Sequence, residues 1–149
     1  MRNFLQNGNL HTLRVGMTLE ETLTLLGKPE DVGCIKKKDN SGILAYSDYC
    51  LQISYQQGVV SYIAIEFVRY NDHPPALPAV IAQSVTIPFT HSTTPDEFIA
   101  YLTQHHISWI RQTEYAAEAD DMVIRILTAK DKRITIHFQD GQLDSMYSQ

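Results

Sequence analysis

The histidines are the side chains best suited to proton transfer or metal binding. There are six, and His105 and His106 are adjacent. Adjacent side chains on a helix point about 100° apart, which is a poor arrangement for binding one metal ion. His105 is better suited to a helix end, where a cation interacts favourably with the last carbonyls. One hypothesis remains open, in which His105, His106 and Asp48 form an enzymatic or small-ligand site.

Motifs that mark known catalytic or cofactor sites are missing from the sequence. It contains no HExxH, GxSxG, P-loop or GxGxxG pattern, so we predict a protein that is not an enzyme and uses no cofactor. Cys34 and Cys50 form no CxxC pair and do not indicate a zinc site. We interpret both as small apolar side chains in strands, while a disulfide would require adjacent strands.

Aromatic and acidic side chains instead favour a protein partner. Tyrosine and tryptophan are enriched at the centres of interfaces, although they are also common in strands. An acidic cluster near residue 120 lacks the spacing and glycine of a calcium loop, and it suits either solvent or a basic partner such as a toxin domain. The predicted partner-binding residues are Tyr46, Asp48, Tyr49, Tyr62, Trp109, Tyr115, Glu118, Asp120 and Asp121.

The composition indicates one folded domain. The chain has 149 residues, of which 44% are hydrophobic and 19% charged, with a net charge of −5. Lysines 36–38 form the only cationic cluster and Asp39 follows them, so nucleic-acid binding is not expected. No segment has the length and apolar character of a signal peptide or a membrane span. We therefore expect a cytoplasmic protein that binds another protein, with a homodimer as a further possibility.

A complete short helix is encoded near residues 18–26. Thr18 and Glu21 have the spacing of a capping box, and Gly27 followed by Pro29 ends the helix. Its predicted inner face consists of Leu19, Leu23 and Leu26. A second capping box, formed by Thr94 and Glu97, begins another helix with Pro95 at its first position.

Alternating strands follow each helix and predict an α+β fold. Two helix-plus-antiparallel-meander repeats, at about residues 13–70 and 85–149, flank a proline-rich connection at 71–84. The capping threonines and the hairpin glycines Gly58 and Gly141 occur in the same order in both halves. We expect a tandem repeat in which both units share one antiparallel sheet with the helices on one face, leaving the other face for a partner.

The first half carries a recognisable pattern. Gly16-Met17-Thr18, then Leu26-Gly27-Lys28-Pro29, Tyr46-Ser47-Asp48 and the Gly58 hairpin resemble the repeat of the fold shared by β-lactamase inhibitor protein and small bacterial outer-membrane lipoproteins. The second half matches more loosely, since His91-Ser92 and Gln104-His105 replace glycine-containing positions. The resemblance implies a non-enzymatic protein-binding scaffold, and cytoplasmic immunity proteins against bacterial toxins are one setting for it.

Overall fold

The computed structural model describes residues 1–68, 73–112, 121–127 and 133–149. Its helices are α1 Arg2–Asn7, α2 Leu19–Leu26, α3 Ala79–Ala82 and α4 Pro95–Gln104, with a 3₁₀ turn at Lys37–Asp39. Its strands are β1 Asp31–Lys36, β2 Ser41–Tyr46, β3 Leu51–Gln56, β4 Val59–Glu66, β5 Trp109–Gln112, β6 Met122–Leu127, β7 Arg133–Gln139 and β8 Gln142–Ser148. None of the described helices is long and apolar enough to cross a membrane.

The eight strands form one antiparallel sheet, in the order β1-β2-β3-β4-β8-β7-β6-β5. The predicted α+β class with a large antiparallel sheet is therefore confirmed. Consecutive strands pair within β1–β4 and within β5–β8, whereas β4 pairs with β8. The β3–β4 and β7–β8 hairpins turn at Gln57-Gly58 and Asp140-Gly141, where all four residues have positive φ. Such turns match the twist of the strands and explain the glycines that the sequence indicated.

Both predicted capping boxes are present. The Thr18 hydroxyl accepts a hydrogen bond from the Glu21 amide at 3.1 Å, and the Glu21 carboxylate accepts one from the Thr18 amide at 2.8 Å. Thr94 and Glu97 repeat the arrangement at the start of α4. Hydrogen bonds from the threonine amide, and then from its hydroxyl, lower the pKa of each glutamate. These bonds fix where the two longest described helices begin.

The inner face of α2 differs from the predicted one. Leu23 is 36% exposed, whereas Thr22 is fully buried, and Leu19, Leu25 and Leu26 pack only partly against the core. Thr22 can be buried because its hydroxyl donates a hydrogen bond to the carbonyl of Thr18 at 2.8 Å. The prediction placed Leu23 inside because it used only the spacing of apolar residues. It could not identify Thr22 as a buried residue, because a threonine that hydrogen-bonds within its own helix is still polar by type.

A short helix at the N-terminal end of the chain was not predicted. Helix α1 buries Phe4 and Leu5, and Gly8 ends it with φ 69°. Six residues are too few to show a helical period, so the pattern carried no signal. Its stability must come from the buried side chains, because isolated helices of this length do not persist in water.

One hydrophobic core lies between the helices and one face of the sheet. Every described helix contributes to it, so the helices share that side. Its strand residues are Leu44, Tyr46, Leu51, Ile53, Tyr55, Val60, Ile63, Ile65, Ile124, Ile126, Ile134, Ile136, Phe138, Leu143 and Met146. An aromatic group joins α4 to the sheet, with ring centroids of Phe98 at 4.7 Å from Phe89 and 5.7 Å from Phe138.

One polar atom inside this core has no partner. Ser148 is fully buried, and its hydroxyl forms no hydrogen bond with any described residue. A buried, unpaired hydroxyl costs about 1–3 kcal/mol. We therefore expect Ser148→Ala to raise the free energy of unfolding by about 1 kcal/mol, measured by urea denaturation. Ser54→Ala, at a partly exposed strand position, is the control, and a loss of stability in Ser148→Ala would contradict this account.

Candidate functional site

The sheet surface opposite the helices is the candidate site, and we call it the far face. Its side chains alternate along each strand with the core side chains, and strand pairing places them in rows across the sheet. One row runs through Gln52, Ala64, Tyr147, Thr135 and Arg125. The buried apolar residues of this face, Ala45, Ala64 and Val123, do not belong to the core cluster. The far face is therefore a second packed surface that no described helix covers.

Three rings lie in contact at the middle of the far face. The ring centroids of Tyr62 and Tyr147 are 5.1 Å apart, and those of Tyr147 and His137 are 4.8 Å apart. The Tyr147 hydroxyl also forms a hydrogen bond with Nε2 of His137. These contacts connect β4, β8 and β7, and so cross the seam where β4 meets β8. Each ring is half-buried, which leaves part of it accessible.

Burial suppresses the ionisation of all three rings. It raises the pKa of Tyr147 to about 12, with smaller contributions from Asp144 and Glu66. Burial also raises the pKa of Tyr62, assisted by Tyr147 and the same carboxylates. The pKa of His137 is lowered by burial, against the opposing effect of Asp144 and Asp121. At neutral pH the three rings form an uncharged aromatic patch with polar atoms at its edges.

A hollow of about 160 Å³ opens beside this patch. It is lined by Gln112, Val123, Arg133, Thr135, His137, Tyr147 and Gln149. Its lining comes from β5, β6, β7 and β8 and includes hydrogen-bond donors of several kinds, of which the Arg133 guanidinium carries a fixed positive charge. The far face thus has an aromatic patch and a polar hollow side by side.

Charges on the far face are separated along the strands. Arg133 lies level with Tyr62, and Arg125 lies level with Ala64. Two positions further along, Glu66 is level with His137, and Asp144 and Asp121 lie beyond that level. On β4, β8, β7 and β6, one end of the surface is therefore basic and the other acidic, with the aromatic patch between them.

Of the predicted aromatic partner residues that the structure describes, only Tyr62 lies on the far face. Tyr46 lies in the core, where its hydroxyl donates a hydrogen bond to the Gly27 carbonyl at 3.0 Å. Trp109 is in register with the buried Ile126 and packs against the core. Tyr46 and Trp109 thus serve the packing of the helix side.

Asp48 and Tyr49 lie in the loop between β2 and β3. Both have positive φ, and the Glu30 carboxylate accepts a hydrogen bond from the Asp48 amide at 2.6 Å. The Tyr49 hydroxyl donates to the Asp31 carboxylate at 2.8 Å. These contacts hold Asp48 in a turn and connect the loop to the start of β1.

The acidic cluster is only partly described. Tyr115, Glu118 and Asp120 lie outside the described residues. Asp121 is half-buried directly before β6, and its charge acts on His137. Of the acidic cluster, only Asp121 is placed near the far face.

The alternative site finds no support in the positions of its residues. His105 caps the end of α4 and stacks on Tyr101 at 4.2 Å between ring centroids. His106 precedes β5 at one edge of the sheet, whereas Asp48 lies beside β2 and β3 near the other. At about 4.8 Å per strand, five strand spacings separate them by roughly 24 Å. Among the described residues, no group of three or more His, Cys, Asp or Glu side chains could hold a metal ion.

Most far-face residues were missed by sequence reasoning. Tyr147, His137, Thr135 and Arg133 alternate with buried residues along β7 and β8, so the strand period did indicate their side of the sheet. The period could not show that β8 pairs with β4, which brings Tyr147 onto Tyr62. A bulge between His137 and Phe138 further shifts the register.

Cys50 is a buried free thiol. Burial raises its pKa to about 12, with a smaller contribution from Glu66. A thiol that remains protonated is a poor nucleophile and metal ligand. The side chain of Cys34 lies outside the described part of the chain.

The lowered pKa of His137 predicts a pH dependence of stability. The unfolded chain binds a proton more readily than the folded one, so this contribution is full above the unfolded pKa near 6.5 and is lost as the pH falls through the folded pKa. We expect wild-type protein to lose more stability than His137→Gln between pH 7.5 and 5, measured by urea denaturation. Because the ring is half-buried, the slope stays below about 1.4 kcal/mol per pH unit. Parallel curves for the two proteins would contradict the prediction.

Comparisons with protein-family models, with curated proteins and with solved structures found no significant match to this chain.

Proposed function

We propose that this protein is a non-enzymatic protein-binding module that uses the far face as its interface. The carrying observation is the half-buried contact of Tyr62, Tyr147 and His137 on a sheet surface that no described helix covers. Rigid aromatic side chains supply large contact area at low entropic cost.

The chemistry of the face favours binding over catalysis. Nε2 of His137 is hydrogen-bonded to the Tyr147 hydroxyl, and burial raises the pKa of that hydroxyl to about 12, so the phenol stays protonated at neutral pH. The far face instead separates its basic and acidic ends around an apolar middle. A partner that carries the opposite charges at matching positions would bind this face specifically.

The same proposal includes an internal duplication of the fold. Helix α2 precedes β1–β4, and α4 precedes β5–β8; each unit has a capping box and a glycine hairpin at the same place. The last strands of the two units pair at the centre of the sheet, next to the aromatic patch. An experimental structure in which residues 19–66 and 95–148 do not superpose strand by strand would refute the duplication.

A cytoplasmic inhibitor or immunity protein is the setting that we propose for this module. The resemblance in the first half motivates it, and a buried free thiol such as Cys50 suits a reducing compartment. A toxin gene next to the gene for this chain, together with protection of cells that co-express both, would support that role. Survival of cells that carry the toxin alone would count against it.

Affinity capture from the source cell tests the interface. Wild type, Tyr62→Ala on the far face and Leu23→Ala on the exposed side of α2 serve as baits, and any captured protein is purified and titrated calorimetrically. Loss of a central aromatic anchor costs about 2 kcal/mol or more, which corresponds to roughly 30-fold weaker binding. We expect that loss for Tyr62→Ala and wild-type affinity for Leu23→Ala. Equal binding by all three, or self-association alone, would refute the proposal.

A further inference from the structure

The hollow on the far face has an unusual floor. Thr135 is only 5% exposed, yet its hydroxyl forms no hydrogen bond with another described residue. Among the described residues, the one side-chain polar atom that is both sealed from solvent and unpaired belongs to Ser148. The Thr135 hydroxyl is therefore not sealed, and it lines the hollow as a donor that has no acceptor in the described part of the chain.

The rim of the hollow supplies positive charge. Arg133 lines the hollow, is exposed and lies two positions before Thr135 on the same face of β7. Arg125 of β6 is in register with Thr135, next to the lining residues. Among the described residues, no ion pair engages either guanidinium. A guanidinium offers parallel N–H donors that match the two oxygens of a carboxylate.

The walls suit the rest of an acidic side chain. Val123 and the ring of Tyr147 offer apolar surface for methylene groups, and Gln112 offers an amide donor. The hollow, at about 160 Å³, is far larger than the roughly 15 Å³ that one water needs. It is large enough to receive a short side chain. Asp144 and Asp121 lie on the side of His137 away from Arg133. An incoming acidic group is therefore favoured at the arginine side of the hollow.

We infer that the hollow receives an aspartate or glutamate side chain of the protein partner, with its carboxylate bound by Arg133 and the Thr135 hydroxyl. The inference rests on the proposed function and specifies its chemistry. It places an acidic anchor of the partner next to Tyr147, whose ring contacts Tyr62. The net charge of −5 does not exclude this, because Arg133 has the only fully charged side chain among the described residues that line the hollow.

The test uses a probe that needs no partner. N-acetyl-glutamate α-amide, whose only charge is the side-chain carboxylate, is titrated into ¹⁵N-labelled protein and followed by amide chemical shifts. We expect saturable shifts around Thr135 and Gln112 with a dissociation constant on the order of 10 mM. The neutral N-acetyl-glutamine α-amide should give none. Arg133→Gln and Thr135→Val should each weaken binding, the former by about tenfold.

The matched control is Arg111→Gln. Arg111 is exposed on the edge strand β5 but is in register with the core residue Ile124, so it lies on the helix side. Three results would overturn the inference. The first is equal chemical-shift changes with the neutral amide, and the second is unchanged binding of the glutamate probe by Arg133→Gln. The third is saturation by inorganic phosphate with which the glutamate probe does not compete. If a captured partner binds Arg133→Gln as tightly as wild type, the inference fails while the interface stands. If no partner binds the far face, the proposed function itself fails.

Discussion

Phe98→Ala should lower the free energy of unfolding by about 3–5 kcal/mol, the cost of removing a fully buried phenylalanine. Phe98 contacts Phe89 and Phe138, so its ring connects α4 to the preceding segment and to β7. Its loss would leave a cavity that neighbouring rings of fixed shape cannot fill. Urea denaturation of the purified variant, with the midpoint and slope reported separately, measures the effect.

The control for this substitution lies on the same helix. Thr103 is exposed near the end of α4 and its hydroxyl donates only to the Ile99 carbonyl. We expect Thr103→Ala to change stability by less than about 0.5 kcal/mol. If Phe98→Ala behaves like Thr103→Ala, α4 does not pack on the sheet as described here.

Phe4→Ala should lower the free energy of unfolding by a similar amount, about 3–5 kcal/mol. Phe4 is buried beside Leu5 in the main core, although α1 is only six residues long. The result would show that the first residues are part of the folded unit and not an appended tail. Thermal and urea unfolding should shift together in one transition.

Asn3→Ala is the matched control because Asn3 is exposed on the same helix. It should leave stability within about 0.5 kcal/mol of wild type. A small effect for Phe4→Ala would mean that α1 can detach without exposing core surface, which would contradict the burial of its side chains.

Much of the fold was predictable because its signals are local. The capping pairs at Thr18 and Thr94 define helix starts through bonds within one turn. Gly58 and Gly141 mark hairpins because positive φ is required there. Alternation then assigned the strands that follow each turn. By contrast, α1 was too short to show a helical repeat of apolar residues. Leu23 was misplaced because the buried position belongs to Thr22, whose hydroxyl donates a hydrogen bond to the Thr18 carbonyl.

The candidate site was mostly beyond the reach of sequence reasoning because it depends on distant pairing. Tyr62 was predicted as a partner residue, but nothing local to it indicates Tyr147 as its neighbour. That contact requires the β4–β8 pairing. Tyr46 and Trp109 were selected by residue type alone, and type does not distinguish a core tyrosine from an exposed one.

Photo-cross-linking in the source cell tests the central claim most directly. A benzoylphenylalanine is placed at position 62 on the far face or, separately, at position 23 on the exposed side of α2, and cells are irradiated. The interface proposed here predicts a covalent adduct with another protein from position 62 and none from position 23. An adduct from position 23 alone, or no adduct from position 62, would contradict the far face as the binding surface.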